Sequence, residues 1–151
     1  MKKFVFRLET VLDIRKKKEE EVQIKLGEAL SHLNKEMANL EILYDKRNFY
    51  QTEITRMRPI ATKVGEVMMY QDYLDSLEVS IKKQKELIAR LEKVVDEVRY
   101  ELAECAKERK IIEKIRQNEY EEYKKEYEAS ERNILDEFGV IAVARKTNQN
   151  Q

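Results

Sequence analysis

The stretch R-P-I-A-T-K-V-G, residues 58–65, decides how this chain folds. It contains the only proline and one of three glycines in 151 residues. Pro59 biases Arg58 away from helical backbone, so a helix arriving from the N-terminal side ends there. Gly65 can supply a positive-φ turn residue, Thr62 can cap a second helix, and Glu66 favours the start of that helix through its dipole. The stretch therefore reads as a short turn between two helices.

On the N-terminal side a 3-4 spacing picks out Leu8, Leu12, Arg15, Glu19, Val22, Leu26, Ala29, Leu33, Glu36, Leu40, Leu43, Arg47, Tyr50, Ile54 and Met57. Most of these positions are apolar, and Leu30, Met37 and Tyr44 widen the stripe. On the C-terminal side the same spacing gives Val67, Tyr70, Leu74, Leu77, Ile81, Gln84, Ile88, Leu91, Val95, Val98, Leu102, Cys105, Arg109 and Ile112. Heptads sustained this long imply a left-handed supercoil. A short connection makes the helices antiparallel neighbours. Folding the chain about residue 62 opposes Ile54 to Tyr70, Leu43 to Ile81, Leu33 to Leu91 and Leu26 to Val98. The apolar layers then coincide, although the two registers are independent of each other.

The expected fold is all-α: one antiparallel coiled-coil hairpin, with the second helix longer and overhanging. Helix 1 is expected near 8–57, the turn near 58–65, helix 2 near 66–137 and a flexible tail near 146–151. Composition agrees. Charged residues are 40% of the chain, against about 25% in ordinary soluble domains. There is no tryptophan, and alanine, glutamate, leucine, lysine and arginine make up about half of the residues.

Polar residues break the stripe at Arg15, Glu19, Glu36, Arg47, Gln84 and Arg109. Such layers lower stability while specifying register. Arg15 and Arg109 fall near one layer. Either the open end is splayed for a partner, or the long side chains snorkel outward.

Several functions find no support. Formal net charge is zero and no basic stripe runs along the chain, so nucleic acid is not an expected partner. The start, M-K-K-F-V-F-R-L, begins like a signal peptide, but Arg7 and Glu9 interrupt it and no long apolar span comes after them. A soluble protein that is not secreted by that route is expected. No phosphate loop, nucleophile elbow or H-E-x-x-H occurs. The lone His32 reads as a solvated surface residue, and the lone Cys105 as an apolar filler in the core register. The reading is a non-enzyme with no cofactor and no metal.

Interaction surface remains. Arg15-Lys16-Lys17-Lys18 runs into Glu19-Glu20-Glu21, which is either i,i+4 pairing or a basic collar for an acidic partner. The segments F-V-F-R-L-E-T-V-L-D-I (4–14) and I-L-D-E-F-G-V-I-A-V-A-R (134–145) each carry more apolar residues than one partner helix covers, and both fall at the terminal end. Tyr120, Tyr123 and Tyr127 share a face among glutamates and lysines. At the hairpin end, Met68, Met69, Tyr70 and Tyr73 stand opposite Phe49 and Tyr50. Tyr70 belongs to the core register. Met69 and Tyr73 are expected on a face that the first helix does not cover.

The chain resembles the flagellar export protein FliJ family and its virulence type III secretion counterparts. The resemblance spans essentially the whole chain. It rests on F-R-L-E-T-V-L-D-I-R-K-K-K-E-E-E (6–21), L-G-E-A (26–29), M-Y-Q-D-Y-L-D-S-L-E (69–78), L-D-E-F (135–138) and A-R-K (144–146). Gly139 departs from the family pattern, standing where continued helix is expected.

The resemblance implies a cytoplasmic component of the export apparatus, peripheral at the inner membrane at the flagellar base and shaped like a rotary-ATPase stalk. It implies insertion into the hexameric export ATPase, promotion of its assembly, contact with the membrane export gate, and binding of export chaperones. By analogy the ATPase would be met at the terminal end by Phe6, Leu8, Leu12, Arg15, Lys16, Leu135, Phe138 and Ile141, where the two terminal segments meet. The gate would be met nearer the turn by Leu43, Tyr50, Tyr73, Leu77 and Gln84, with Met69 beside them. Several of these residues share the core register and can equally be packing residues. A monomer or weak dimer is expected. A prefoldin-like or secretion-chaperone hairpin that holds protein substrates is the alternative, and it would be multimeric.

Overall fold

The structure is a computed structural model and describes residues 2–150. Helix α1 spans Glu9–Met57 (49 residues) and helix α2 spans Val64–Gln149 (86 residues), with a single 3-10 turn, Ala61–Lys63, between them. Among the described residues there is no strand. The protein is an antiparallel helical hairpin whose second helix is the longer.

α1 stops where proline requires it. The Arg58 amide still donates to Ile54 O at 2.9 Å. Pro59 has no N–H to continue the series, and the chain turns through Ile60 N to Met57 O and Lys63 N to Ile60 O. Two details differ from the sequence expectation. Ile60, in extended backbone, precedes the 3-10 turn and makes no side-chain cap, so Thr62 lies inside the turn instead of capping it. Gly65 has no positive φ, because α2 has already begun at Val64. The Lys63 ammonium pairs with Glu66 at 3.2 Å across this junction.

Residues 20–103 form one compact unit, and the flanking segments, up to Glu19 and from Glu104, form another. In the 20–103 unit Val22, Ile54 and Met57 of α1 and Leu77, Ile81, Ile88, Val95 and Val98 of α2 are buried. All eight stand at the heptad positions, and each contributes about 1.5–3 kcal/mol by leaving water. The register is visible in the polar contacts between the helices. Tyr50 meets Tyr70 and Tyr73, Arg47 lies 3.6 Å from Glu78, and Lys25 lies 3.1 Å from Glu101.

In the other unit the buried residues are Phe6, Leu12 and Cys105. Residues 2–8 are not helical: Leu8, expected at the helix start, lies in a turn, and its carbonyl accepts from Leu12 N at 2.9 Å. The polar layer here is paired. Arg15 bonds Glu108 across the helices, Arg109 bonds Glu19 across them and Glu113 at 2.8 Å along its own, and Arg116 lies 3.1 Å from Glu9. Arg15 and Arg109 each meet a carboxylate on the other helix, Arg15 with its side chain still 43% exposed.

α2 does not end near residue 137 but runs through Gly139 to Gln149, so the expected tail from 146 is helical as far as that residue. One exposed glycine costs a helix about 1 kcal/mol relative to alanine. That is too little to break a helix with good formers on both sides. From Glu131 to Asn150 every residue is exposed.

Candidate functional site

Two surfaces answer to the candidate residues, one in each unit. In the unit formed by the flanking segments, the N-terminal segment of the chain is pinned by aromatics. Phe4 packs edge-on to Tyr120, ring centroids 5.3 Å apart, and tilted against Tyr123 at 5.5 Å. The Arg116 guanidinium lies 5.6 Å from the Phe4 centroid. The Tyr123 hydroxyl donates to the Lys2 carbonyl at 2.6 Å, and Arg7 approaches Glu119 at 3.9 Å. Tyr123 in turn stacks with Tyr120 and Tyr127, at 6.5 and 6.3 Å. The Tyr127 phenol is held above its ordinary pKa by the adjacent Glu131 carboxylate.

The candidates proposed at this end separate into three groups. Phe6 and Leu12 are core, 5% and 1% exposed, and cannot be read by a partner without unpacking. Leu8 and Arg15 are half-buried and Lys16 is exposed. Leu135 and Phe138 are about two-thirds exposed and Ile141 about half. The expectation that the 6–21 and 134–145 segments meet is not realised. The N-terminal segment packs at 116–123, and 134–145 lies more than two helical turns further on. The difference arises because the hairpin register sets residues 4–9 against 116–123, leaving 134–145 in the overhang of α2. The tyrosines that hold the N-terminal segment were visible in the sequence as one face. Their function there depended on Phe4, which carries no periodic signal.

In the 20–103 unit, Tyr50 is the centre of an aromatic cluster. Its ring packs edge-to-face with Phe49, Tyr70 and Tyr73, at centroid distances of 5.2, 5.1 and 4.6 Å. Tyr73 is 39% exposed, and its contact with Tyr50 corrects the expectation that α1 leaves it uncovered. Met69, 71% exposed, and Phe49, 57% exposed, present most of their surface to solvent. Leu77 is core at 4% exposure and Leu43 is half-buried.

Gln84 is engaged internally. Its amide donates to the Glu36 carbonyl at 2.8 Å and to the Glu36 carboxylate at 2.6 Å. That bond and the Asn39 amide hold the Glu36 carboxyl below its ordinary range. Tyr44 lies under two cations, Arg47 at 4.9 Å and Lys85 at 5.7 Å. His32 is exposed, 3.9 Å from Glu36, and Cys105 is a buried thiol.

The pockets described among these residues are open grooves on the surface. Among the described residues no cluster of histidine, cysteine and carboxylate side chains could hold a metal ion. No helix among them is long and apolar enough to cross a membrane.

Residues 3–148 match the family described as flagellar FliJ protein. The chain belongs to that family. Membership makes it a component of the flagellar protein export apparatus, and the matched span takes in both helices and the turn between them. No curated protein and no solved structure matches the chain.

Proposed function

We propose that this chain is the non-catalytic stalk and escort of the flagellar export ATPase: it inserts into the hexameric ring, favours ring assembly, contacts the export gate and binds export chaperones. The observation that carries the reading is the free end of α2. Residues 134–143 present Ile134, Leu135, Phe138, Val140, Ile141 and Val143 to solvent, past the last residue against which the N-terminal segment packs. Apolar surface of that kind on an exposed helix marks a partner site, and a slender helix end suits the pore of a ring.

Leu135, Phe138, Ile141 and Lys16 are the ATPase contacts in this reading. Phe6 and Leu12 hold the scaffold, and Leu8 and Arg15 lie at its border. Gate contact falls to Met69, Tyr73 and Tyr50, with Leu43 at the margin, while Leu77 and Gln84 keep that surface in place. The protein acts as a monomer or weak dimer in the cytoplasm, at the inner face of the membrane at the flagellar base.

The test is stimulation of the cognate ATPase under ring-forming conditions. The intact chain should raise the hydrolysis rate, and a chain lacking residues 128–151 should not. An unchanged rate with the intact, folded chain would refute the stalk reading. Residues up to 127 must be kept, because Tyr120 and Tyr123 hold the N-terminal segment.

A further inference from the structure

The face of α2 that grips the chain's own N-terminal segment does not end where that segment ends. Tyr120, Tyr127, Ile134 and Ile141 recur every seven residues, so they share one face of the helix. The first of these is already occupied by K-K-F-V-F-R, residues 2–7. Phe4 sits on Tyr120 and Tyr123, Tyr123 captures the Lys2 carbonyl, and Arg7 reaches Glu119. The molecule thus shows what chemistry this face accepts: an aromatic side chain on the tyrosines, a backbone carbonyl for the Tyr123 hydroxyl, and an arginine beside Glu119.

The charges favour the same occupant further along. Residues 119–137 hold eight carboxylates and three basic side chains, a net charge of −5, whereas residues 2–18 hold seven basic and two acidic, a net of +5. Past Tyr127 the face keeps its apolar line, its Glu131 and Glu137 carboxylates and its exposure, but no segment among the described residues lies on it.

We propose that the face from Tyr127 to Ile141 docks a basic segment carrying aromatic or aliphatic side chains, supplied by a partner protein and seated in line with residues 2–7. An acidic helix with an apolar line excludes acidic and purely polar partners through unpaired charge and lost burial. It therefore selects by sign as well as by hydrophobicity. This deepens the proposed role of the α2 end as a partner site and rests on it.

The test uses the full chain and a fluorescein-labelled peptide, Lys-Lys-Phe-Val-Phe-Arg-Leu, the sequence of residues 2–8, followed by anisotropy. Binding is expected, weakening as salt is raised. A Glu131→Lys, Glu137→Lys double variant, or Phe138→Ser, should weaken it at least about tenfold, about 1.4 kcal/mol. These residues are exposed, and circular dichroism should show the variants as helical as the parent.

Three results overturn the proposal. One is equal binding of the charge-swapped peptide Glu-Glu-Phe-Val-Phe-Glu-Leu. Another is binding that ignores the three substitutions but is lost in Tyr120→Ala, which would mean exchange with the chain's own segment. The third is a dimer, seen by sedimentation, that Phe138→Ser dissociates, which would assign the face to a second copy. ATPase stimulation is read separately. Stimulation without peptide binding sinks this inference alone, and peptide binding without stimulation sinks the stalk reading alone.

Discussion

The Arg109 guanidinium ties the two helices together, bonding Glu19 on α1 through Nη2 at 3.3 Å and Glu113, one turn along α2, at 2.8 Å. Those two carboxylates hold its pKa above the ordinary arginine value, the Glu19 bond contributing most. The position is one of the core stripe, so the ion pair stands where an apolar knob otherwise would. Its geometry makes register a matter of charge as well as of volume. Arg109→Glu and Glu19→Arg should each lower the melting temperature, and the double exchange should recover much of it. Melts followed by circular dichroism at low salt check this, and additivity of the two losses would contradict it.

Met69 and Tyr73, four residues apart, should behave differently. Tyr73→Ala removes the ring packed 4.6 Å from Tyr50 and should cost about 0.5–1.5 kcal/mol through that aromatic pair. Met69→Ala, at a side chain 71% exposed, should leave the unfolding midpoint unchanged. Urea titrations separate them. Gate binding that falls in Met69→Ala, with stability intact, would mark a contact.

The Glu36 carboxyl makes stability depend on acid. Its folded pKa is lowered, first by the Gln84 hydrogen bond and then by Asn39, with His32 and Lys35 as nearby positive charges. A carboxylate lowered on folding contributes stability that is fully present above its unfolded value, near 4.5, and lost as pH falls through the folded one. Gln84→Met should therefore destabilise the chain at neutral pH, and the gap from the parent should narrow near pH 3. A gap of constant size would remove Glu36 as the cause.

Core truncation reports on the coiled coil itself. Val98 and Leu77 are 3% and 4% exposed, and Leu77→Ala should cost about 2–4 kcal/mol by lost burial and the cavity left behind. Phe138→Ala, exposed on α2 where nothing packs, should cost almost nothing. The two unfolding midpoints, taken together, distinguish packing residues from surface residues on the same helix.

The sequence by itself determined the topology. One proline removed a backbone donor, and two heptad stripes that coincide when folded about residue 62 left only an antiparallel pairing that buries both. Those are local and periodic facts, and periodicity is written in residue order. The tertiary structure alone decided which stripe residues are core and which are partners, because exposure depends on what lies opposite. Tyr73 has Tyr50 opposite it, and Met69 has little. It alone also took residues 2–8 out of the helix while keeping Phe4 against Tyr120 and Tyr123, since folding about residue 62 sets which positions face each other but not the backbone form of the segment. And it carried α2 through Gly139, where the small cost of one glycine is outweighed by the helix on either side.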